Sequence, residues 1–186
     1  MAGTRVEASK RVRESIVSAT VRIVAREGVS GVTHRRVAAE AGVSLSSTTW
    51  HYATKADILE AALHWSARRE VDRIAAIANR LHDFDLDRWA DELTAWLIEQ
   101  VTSDRELTVA LYRLQAELLG ARGAPELHRE WGEGLRAVGE RVLPIDPADL
   151  RLIIAALDGL RMNALNADDL AWLRPTVLRQ LTALLA

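Results

Sequence analysis

The chain has 186 residues, a formal charge of −2, 49% apolar and 27% charged side chains, the usage of a globular protein of one or two domains and not of a disordered or fibrous one. With 4 Pro and 10 Gly among abundant Ala, Leu, Arg and Glu, a sandwich or barrel is excluded. The absence of Cys excludes disulfides, thiolate metal sites and cysteine nucleophiles.

From Val12, apolar residues recur at Ile16, Ala19 and Ile23, the 3.6-residue stripe of an amphipathic helix that ends near Gly28. Residues 28–32 read as a turn. Thr33 is placed to cap a second helix running to about Ala41, with Gly42 as the residue of positive φ that closes it. Ser44 caps a third, very short helix to about His51. Thr54 and Asp57 have the spacing of a capping box and open a long helix to about Arg80. Further helices are predicted from Asp85 to about Thr102, from Asp104 to about Leu119 and, after a break at 120–123, from Pro125 to near Leu143. Asp146 and Pro147 start another, with an apolar face of Leu150, Ile153, Ile154, Leu157 and Leu160. A last helix is expected from near Pro175 to the C-terminus. The predicted fold class is therefore all-α with about nine helices, and residues 33–51 read as helix, short turn, short helix, a helix-turn-helix pattern.

Charge is distributed unevenly. Residues 1–55 hold nine cations against four anions, a surplus that the remaining residues more than reverse, and a basic head on an acidic body points to a polyanionic partner. A short helix enters the DNA major groove when its outer face offers small polar groups to base edges and phosphates. Ser46, Ser47, Thr48 and Thr49 supply hydroxyls, His51 supplies ring nitrogens, and Trp50 adds an indole N–H with apolar bulk. Thr33, His34, Arg35 and Arg36 stand at the start of the second helix, where side chains and free backbone N–H groups favour phosphate oxygens, and Lys55 stands similarly at the start of the fourth. Taken singly, these features also fit an exposed turn, a solvated charged face or, for Trp50, a core position. Their joint occurrence at helix-turn-helix spacing favours DNA.

Residues 10–60 resemble the DNA-binding domain of TetR/AcrR-type transcriptional regulators. The resemblance rests on Gly31-Val32-Thr33, on Val37-Ala38-Ala39-Glu40-Ala41-Gly42-Val43-Ser44, on the aromatic Tyr52, and on Lys55 to Leu59. It implies a sequence-specific DNA-binding regulator, most often a repressor released from a palindromic operator by a small molecule. Carried over position by position, it implies phosphate or base contacts from Thr33, Arg35 and Arg36, from Leu45, Ser46, Ser47, Thr49, Trp50 and His51, and from Lys55. Thr49 stands where the family usually has Tyr, and Ser46 where it often has Gly. Loss of the phenol removes one phosphate contact, which the neighbouring Trp50 is placed to supply.

The resemblance further implies an inducer pocket among the middle helices and a homodimer through the last two. Residues 1–55 are accordingly expected to form the DNA-binding domain and 56–186 a ligand-binding and dimerisation domain. The stripe from Leu150 to Leu160, with Leu178, Leu181, Leu184 and Leu185, fits either a dimer interface or closure of the monomer core. The chain carries six Trp against one Phe and two Tyr. Trp65, Trp89, Trp96, Tyr112 and Trp131 are candidates to line a hydrophobic or aromatic ligand, although aromatics at helical spacing are more often core. Trp89 and Trp96, seven apart, share a helix face. Gln115, Asp158, Met162 and Asn163 are further candidates, and Asp158 can instead pair with Arg161 or Arg151.

The five His, at 34, 51, 64, 82 and 128, include no pair one helical turn apart, so no metal or cofactor is expected. No run approaches the roughly 20 apolar residues of a bilayer span, and the opening MAGTRVEASKRVRES is unlike a signal sequence, which predicts a cytoplasmic protein with no membrane partner. An enzyme using His64 or His128 with Glu60 or Glu126 lacks any nucleophile motif, phosphate loop or metal spacing. A helix-turn-helix protein without a small-molecule inducer is the alternative that the sequence leaves open.

Overall fold

A computed structural model describes residues 2–81, 85–119, 129, 132–137 and 146–185. Among these it contains helices and turns and no strand. The elements are α1 (Ala2–Glu27), a 3-10 turn (Val29–Gly31), α2 (His34–Ala41), α3 (Leu45–His51), α4 (Lys55–Arg80), α5 (Leu86–Val101), α6 (Arg105–Leu118), α7 (Pro147–Ala164) and α8 (Leu173–Leu185). Residues 132–137 are also helical. The break expected at 120–123, both ends of the helix expected from Pro125 to Leu143, and Trp131 lie outside the described residues. No described helix is long and apolar enough to cross a membrane.

The helix boundaries follow their capping chemistry. The Thr33 hydroxyl accepts from the Arg36 N–H at 3.2 Å, and the Ser44 hydroxyl accepts from the Ser47 N–H at 3.0 Å. Thr54 and Asp57 form a reciprocal box, Thr54 N–H donating to Asp57 Oδ2 at 2.8 Å and Asp57 N–H to Thr54 Oγ1 at 3.1 Å. Asp85 accepts from the N–H groups of Asp87 and Arg88, and Asp146 from that of Ala148 ahead of Pro147. α8 begins at Leu173, two residues before Pro175, in a turn held by Asp169 Oδ1 accepting from Ala171 N–H. α1 reaches back to Ala2, well before the periodic stripe that marks it in the sequence.

Gly42 ends α2 at φ 68°, and its N–H closes on the carbonyls of Ala38 and Ala39. A Cβ there would meet nothing within 4 Å, so the cost of a side chain is that of the backbone conformation alone. Gly42→Ala is expected to destabilise the protein by about 1 kcal/mol, read as a fall in the urea midpoint at unchanged m.

The chain divides into two compact units. The first comprises Met1–Arg68 and Glu106–Leu127. Its core joins Ile16, Ile23 and Val24 of α1, Val37 of α2, Ile58 and Ala62 of α4, and Ala110, Leu111 and Leu114 of α6. Arg113 of α6 fastens the end of α1, its Nη1 donating to the carbonyls of Val24 at 2.8 Å and Ala25 at 2.6 Å, where a cation also meets the negative end of the helix dipole. Arg22 and Arg26 of α1 both reach Glu40 of α2, at 2.8 and 2.9 Å. The Arg22 hydrogen bond holds the Glu40 carboxyl below the usual range.

The second unit comprises Arg69–Arg105 and His128–Ala186. Trp89, Leu93, Trp96 and Leu97 of α5 pack with Ile153 and Leu157 of α7 and with Leu173, Val177 and Leu181 of α8. Of the stripe that fitted either a dimer interface or a core, Leu150, Ile153, Leu157 and Leu181 are buried within this unit. They close the core because α7 turns its most apolar face inward. The opposite face of α7 is exposed along Ala148, Leu152, Ala155, Gly159 and Met162, spaced four, three, four and three residues apart.

Candidate nucleic-acid interface

The short α3 is oriented by its buried side. Thr48 is fully buried and its hydroxyl donates to the Ser44 carbonyl at 3.3 Å, while the following Tyr52 is sunk into the core of the first unit. Thr48 is therefore an anchor and not one of the outward hydroxyls that the sequence suggested. With Thr48 inward, helical geometry turns Leu45, Ser46, Thr49 and Trp50 outward on one face, and all four are exposed. Trp50 is 77% exposed, which excludes a core role for it. Ser47 and His51 flank this face and are half-buried.

Local bonds preset these side chains. The hydroxyls of Ser46 and Ser47 lie 2.9 and 2.8 Å from that of Ser44, and Thr49 Oγ1 donates back to the carbonyls of Leu45 and Ser46 at 3.1 and 3.2 Å. Each hydroxyl oxygen keeps acceptor capacity for an outside donor. The imidazole of His51 stands edge-on to the Trp50 indole at 4.5 Å between centroids. Burial, and then the nearby Arg13, lower the His51 pKa, so the ring is neutral at pH 7 and offers one donor and one acceptor.

The residues at the start of α2 divide by role. The His34 ring donates from Nε2 to the Tyr52 carbonyl at 2.9 Å, a bond that ties α2 to the end of α3. Arg36 pairs with Glu27. Arg35 is exposed, with no ion pair among the described residues, and Thr33 is exposed as the cap. Lys55 opens α4, its side chain half-buried. Thr33, Arg35, Leu45, Ser46, Thr49 and Trp50 are thus each exposed on the first unit and Lys55 is half-buried there, while His34 and Arg36 are engaged by their own partners.

The described residues proposed for a ligand belong to both units. Trp65, Tyr112 and Gln115 belong to the first unit and are half-buried. Trp65 lines a groove between α1 and α4 that Trp50 and Tyr52 also border. Trp89, Trp96, Asp158, Met162 and Asn163 belong to the second unit. Trp89 and Trp96 lie on one face of α5, as their seven-residue spacing implied, and that face is buried in the core of the unit. Met162 and Asn163 are exposed, the Asn163 amide donating to the Gly159 carbonyl at 2.9 Å. Asp158 pairs with Arg161 at 2.5 Å.

The sequence did not point to Glu70. It lies on α4, 6% exposed, and its Oε1 accepts from Arg161 Nη1, a guanidinium that is 1% exposed. A glutamate inside the apolar pattern of a long helix is the sole signal it left.

A helix-turn-helix whose second helix presents an outward polar face beside basic helix starts defines a DNA-binding module. Residues 16–62 match the family model of the bacterial regulatory proteins of the tetR family. The chain is similar to the solved structure of a TetR-family member from Streptomyces coelicolor A3, at 32% identity and TM-score 0.73, covering 91% of this chain and 97% of that one. It is similar also to the multidrug binding protein EbrR complexed with ethidium, at 34% identity and TM-score 0.72, covering 91% of this chain and 98% of that one. A shorter match, 33% identical over 76 residues, is to the HTH-type transcriptional regulator PksA of Bacillus subtilis (strain 168). It spans 41% of this chain and 37% of that regulator. The chain belongs to the TetR family of transcriptional regulators, with a helix-turn-helix DNA-binding domain.

Proposed function

We propose that the protein is a homodimeric repressor that binds a palindromic operator through α3 and is released from it by a small aromatic molecule. The outward face of α3, with Leu45, Ser46, Thr49 and Trp50 exposed over a buried Thr48, carries this reading. Residues 1–55 are assigned to DNA and 56–186 to ligand and dimerisation. Ser46, Ser47, Thr49, Trp50 and the neutral His51 read base edges and the groove wall, whereas Thr33, Arg35 and Lys55 contact phosphates. Lys55→Ala and Arg35→Ala are each expected to weaken native and scrambled duplexes alike and to reduce the salt slope of binding by about 1. A loss confined to one sequence, seen in anisotropy titrations at two salt concentrations, would remove these cations from the phosphate role.

The exposed stripe of α7 supports dimerisation, because small and apolar residues at alternating three- and four-residue spacing form the seam on which helices pair. Leu152 is 56% exposed, so a charge there is tolerated by the monomer. Leu152→Arg is expected to convert a dimer to monomer in sedimentation equilibrium at micromolar concentration and to abolish operator binding at concentrations where the wild type saturates.

An aromatic ligand is supported by EbrR, solved with ethidium, malachite green and proflavin. Of the ligand candidates, Trp96 lies 5.9 Å from the buried Arg161 guanidinium and Asp158 pairs with it. Ligand and DNA would act on each other through unequal affinity for two conformations of the dimer.

A further inference from the structure

Resting on the reading of bases by α3, we propose that His34 is a positioning residue for that helix: its ring does not meet DNA but fixes the end of α3 that carries Trp50 and His51, and so sets sequence discrimination. α3 has seven residues, and a helix of that length keeps its shape only where something outside it holds each end. Its start is held locally. Ser44 caps it, and the buried Thr48 places its hydroxyl on the Ser44 carbonyl. Its far end is held at Tyr52, which closes the helix with its N–H on the Thr48 carbonyl at 2.9 Å. The Tyr52 ring is 6% exposed, with the Arg13 guanidinium of α1 6.0 Å from its centre, so its side chain is fixed by the first unit's core. The Tyr52 peptide is fixed by His34. That 2.9 Å bond spans 18 residues, from the first residue of α2 to the residue that ends α3.

His34 differs in this from the cation beside it. Arg35 is exposed with no ion pair among the described residues, whereas the His34 ring is half-buried and its Nε2 is engaged. The partner of Nε2 is a carbonyl, so Nε2 carries the proton, and Nδ1 of a neutral ring is an acceptor that offers a phosphate oxygen nothing. What the bond controls is the last turn of α3. Trp50 and His51 directly precede Tyr52, and their rings stand edge-on at 4.5 Å, so a tilt of that turn displaces both together. Hydrogen bonds to base edges are directional, while attraction to phosphates depends on charge and tolerates small shifts. Loss of the His34 bond therefore costs discrimination before it costs non-specific affinity.

The test compares His34→Leu, which keeps bulk and removes the donor, with His34→Gln, whose amide nitrogen reaches the place of Nε2. Each full-length variant is titrated by anisotropy onto the palindrome that the wild type selects and onto a scrambled duplex, and amide hydrogen exchange is followed through α3. His34→Leu is expected to lose about three- to tenfold on the palindrome, with the scrambled duplex and the salt slope unchanged and with faster exchange at Trp50, His51 and Tyr52. His34→Gln restores both affinity and protection. A fall on both duplexes with a salt slope lower by about 1 would make His34 a phosphate contact and overturn the proposal. Unaltered discrimination in His34→Leu, or a loss that His34→Gln does not restore, overturns it as well, and each of these leaves base reading by α3 intact. A wild type that prefers no duplex overturns both. Should His34→Leu not fold, His34→Asn takes its place, because its shorter amide stops at the position of Nδ1.

Discussion

Arg161→Ala is expected to lower the unfolding free energy by about 3–5 kcal/mol in urea denaturation at pH 7. Arg161 is 1% exposed and is the charge that faces Glu70, itself 6% exposed. Removing the cation leaves a carboxylate buried without its counter-charge, a loss larger than that of any exposed ion pair here. Removing both charges with apolar or amide groups of similar size avoids the stranded charge. Glu70→Gln combined with Arg161→Met is therefore expected to recover most of the loss, and a double variant as unstable as Arg161→Ala would refute the account of this pair. The pH dependence has a definite sign. Burial raises the Glu70 pKa above its ordinary 4.5, so the folded state binds this proton more readily than the unfolded one, and stability from this group is lost as pH rises through the folded value. Without Arg161 that rise is larger. The deficit of the single variant is accordingly smallest in acid and grows toward neutrality.

Trp50→Ala is expected to weaken binding to the native operator by about tenfold or more while leaving the thermal midpoint nearly unchanged. The indole is 77% exposed, so truncation removes little packing, and surface changes of this kind stay within about 0.5 kcal/mol. Its contribution appears on DNA, where a large flat ring beside Thr49 meets a sugar edge or a thymine methyl. Because His51 leans edge-on against this ring, the truncation also frees the imidazole from its set orientation. Affinity for a scrambled duplex should fall far less than affinity for the operator. That pattern separates Trp50 from Lys55 and Arg35, whose loss acts on all sequences. Equal losses on both duplexes would place Trp50 on the phosphate backbone alone.

Local signals carried most of the first half of the structure. Thr33, Gly42, Ser44, Thr54 and Asp57 cap or end the elements that the sequence assigned to them, because caps are satisfied within a few residues of where they are written. The outward face of α3 was legible except for Thr48, whose burial depends on which side of a seven-residue helix meets α1 and α2. Distant pairings were not legible. Arg161 and Glu70 lie 91 residues apart, and an amphipathic stripe states that a face is buried without naming what buries it. For the same reason Leu150, Ile153 and Leu157 suited a dimer seam as well as a core, and the packing of α6 with α1 and α4 had no sequence signature. Likewise, Trp65, Tyr112 and Gln115 belong to one packing unit and Trp89 and Trp96 to the other, a division that residue type and helical spacing do not state.

The most direct test of the central claim is selection of bound duplexes from a pool of random sequence, using the wild-type chain and one in which Ser46, Thr49 and Trp50 are Ala. The account predicts that the wild type enriches a palindrome whose half-sites repeat at about one helical turn or a multiple of it, and that the altered chain enriches no such sequence while still binding the pool at low salt. A wild type that retains all duplexes equally would contradict sequence reading by α3.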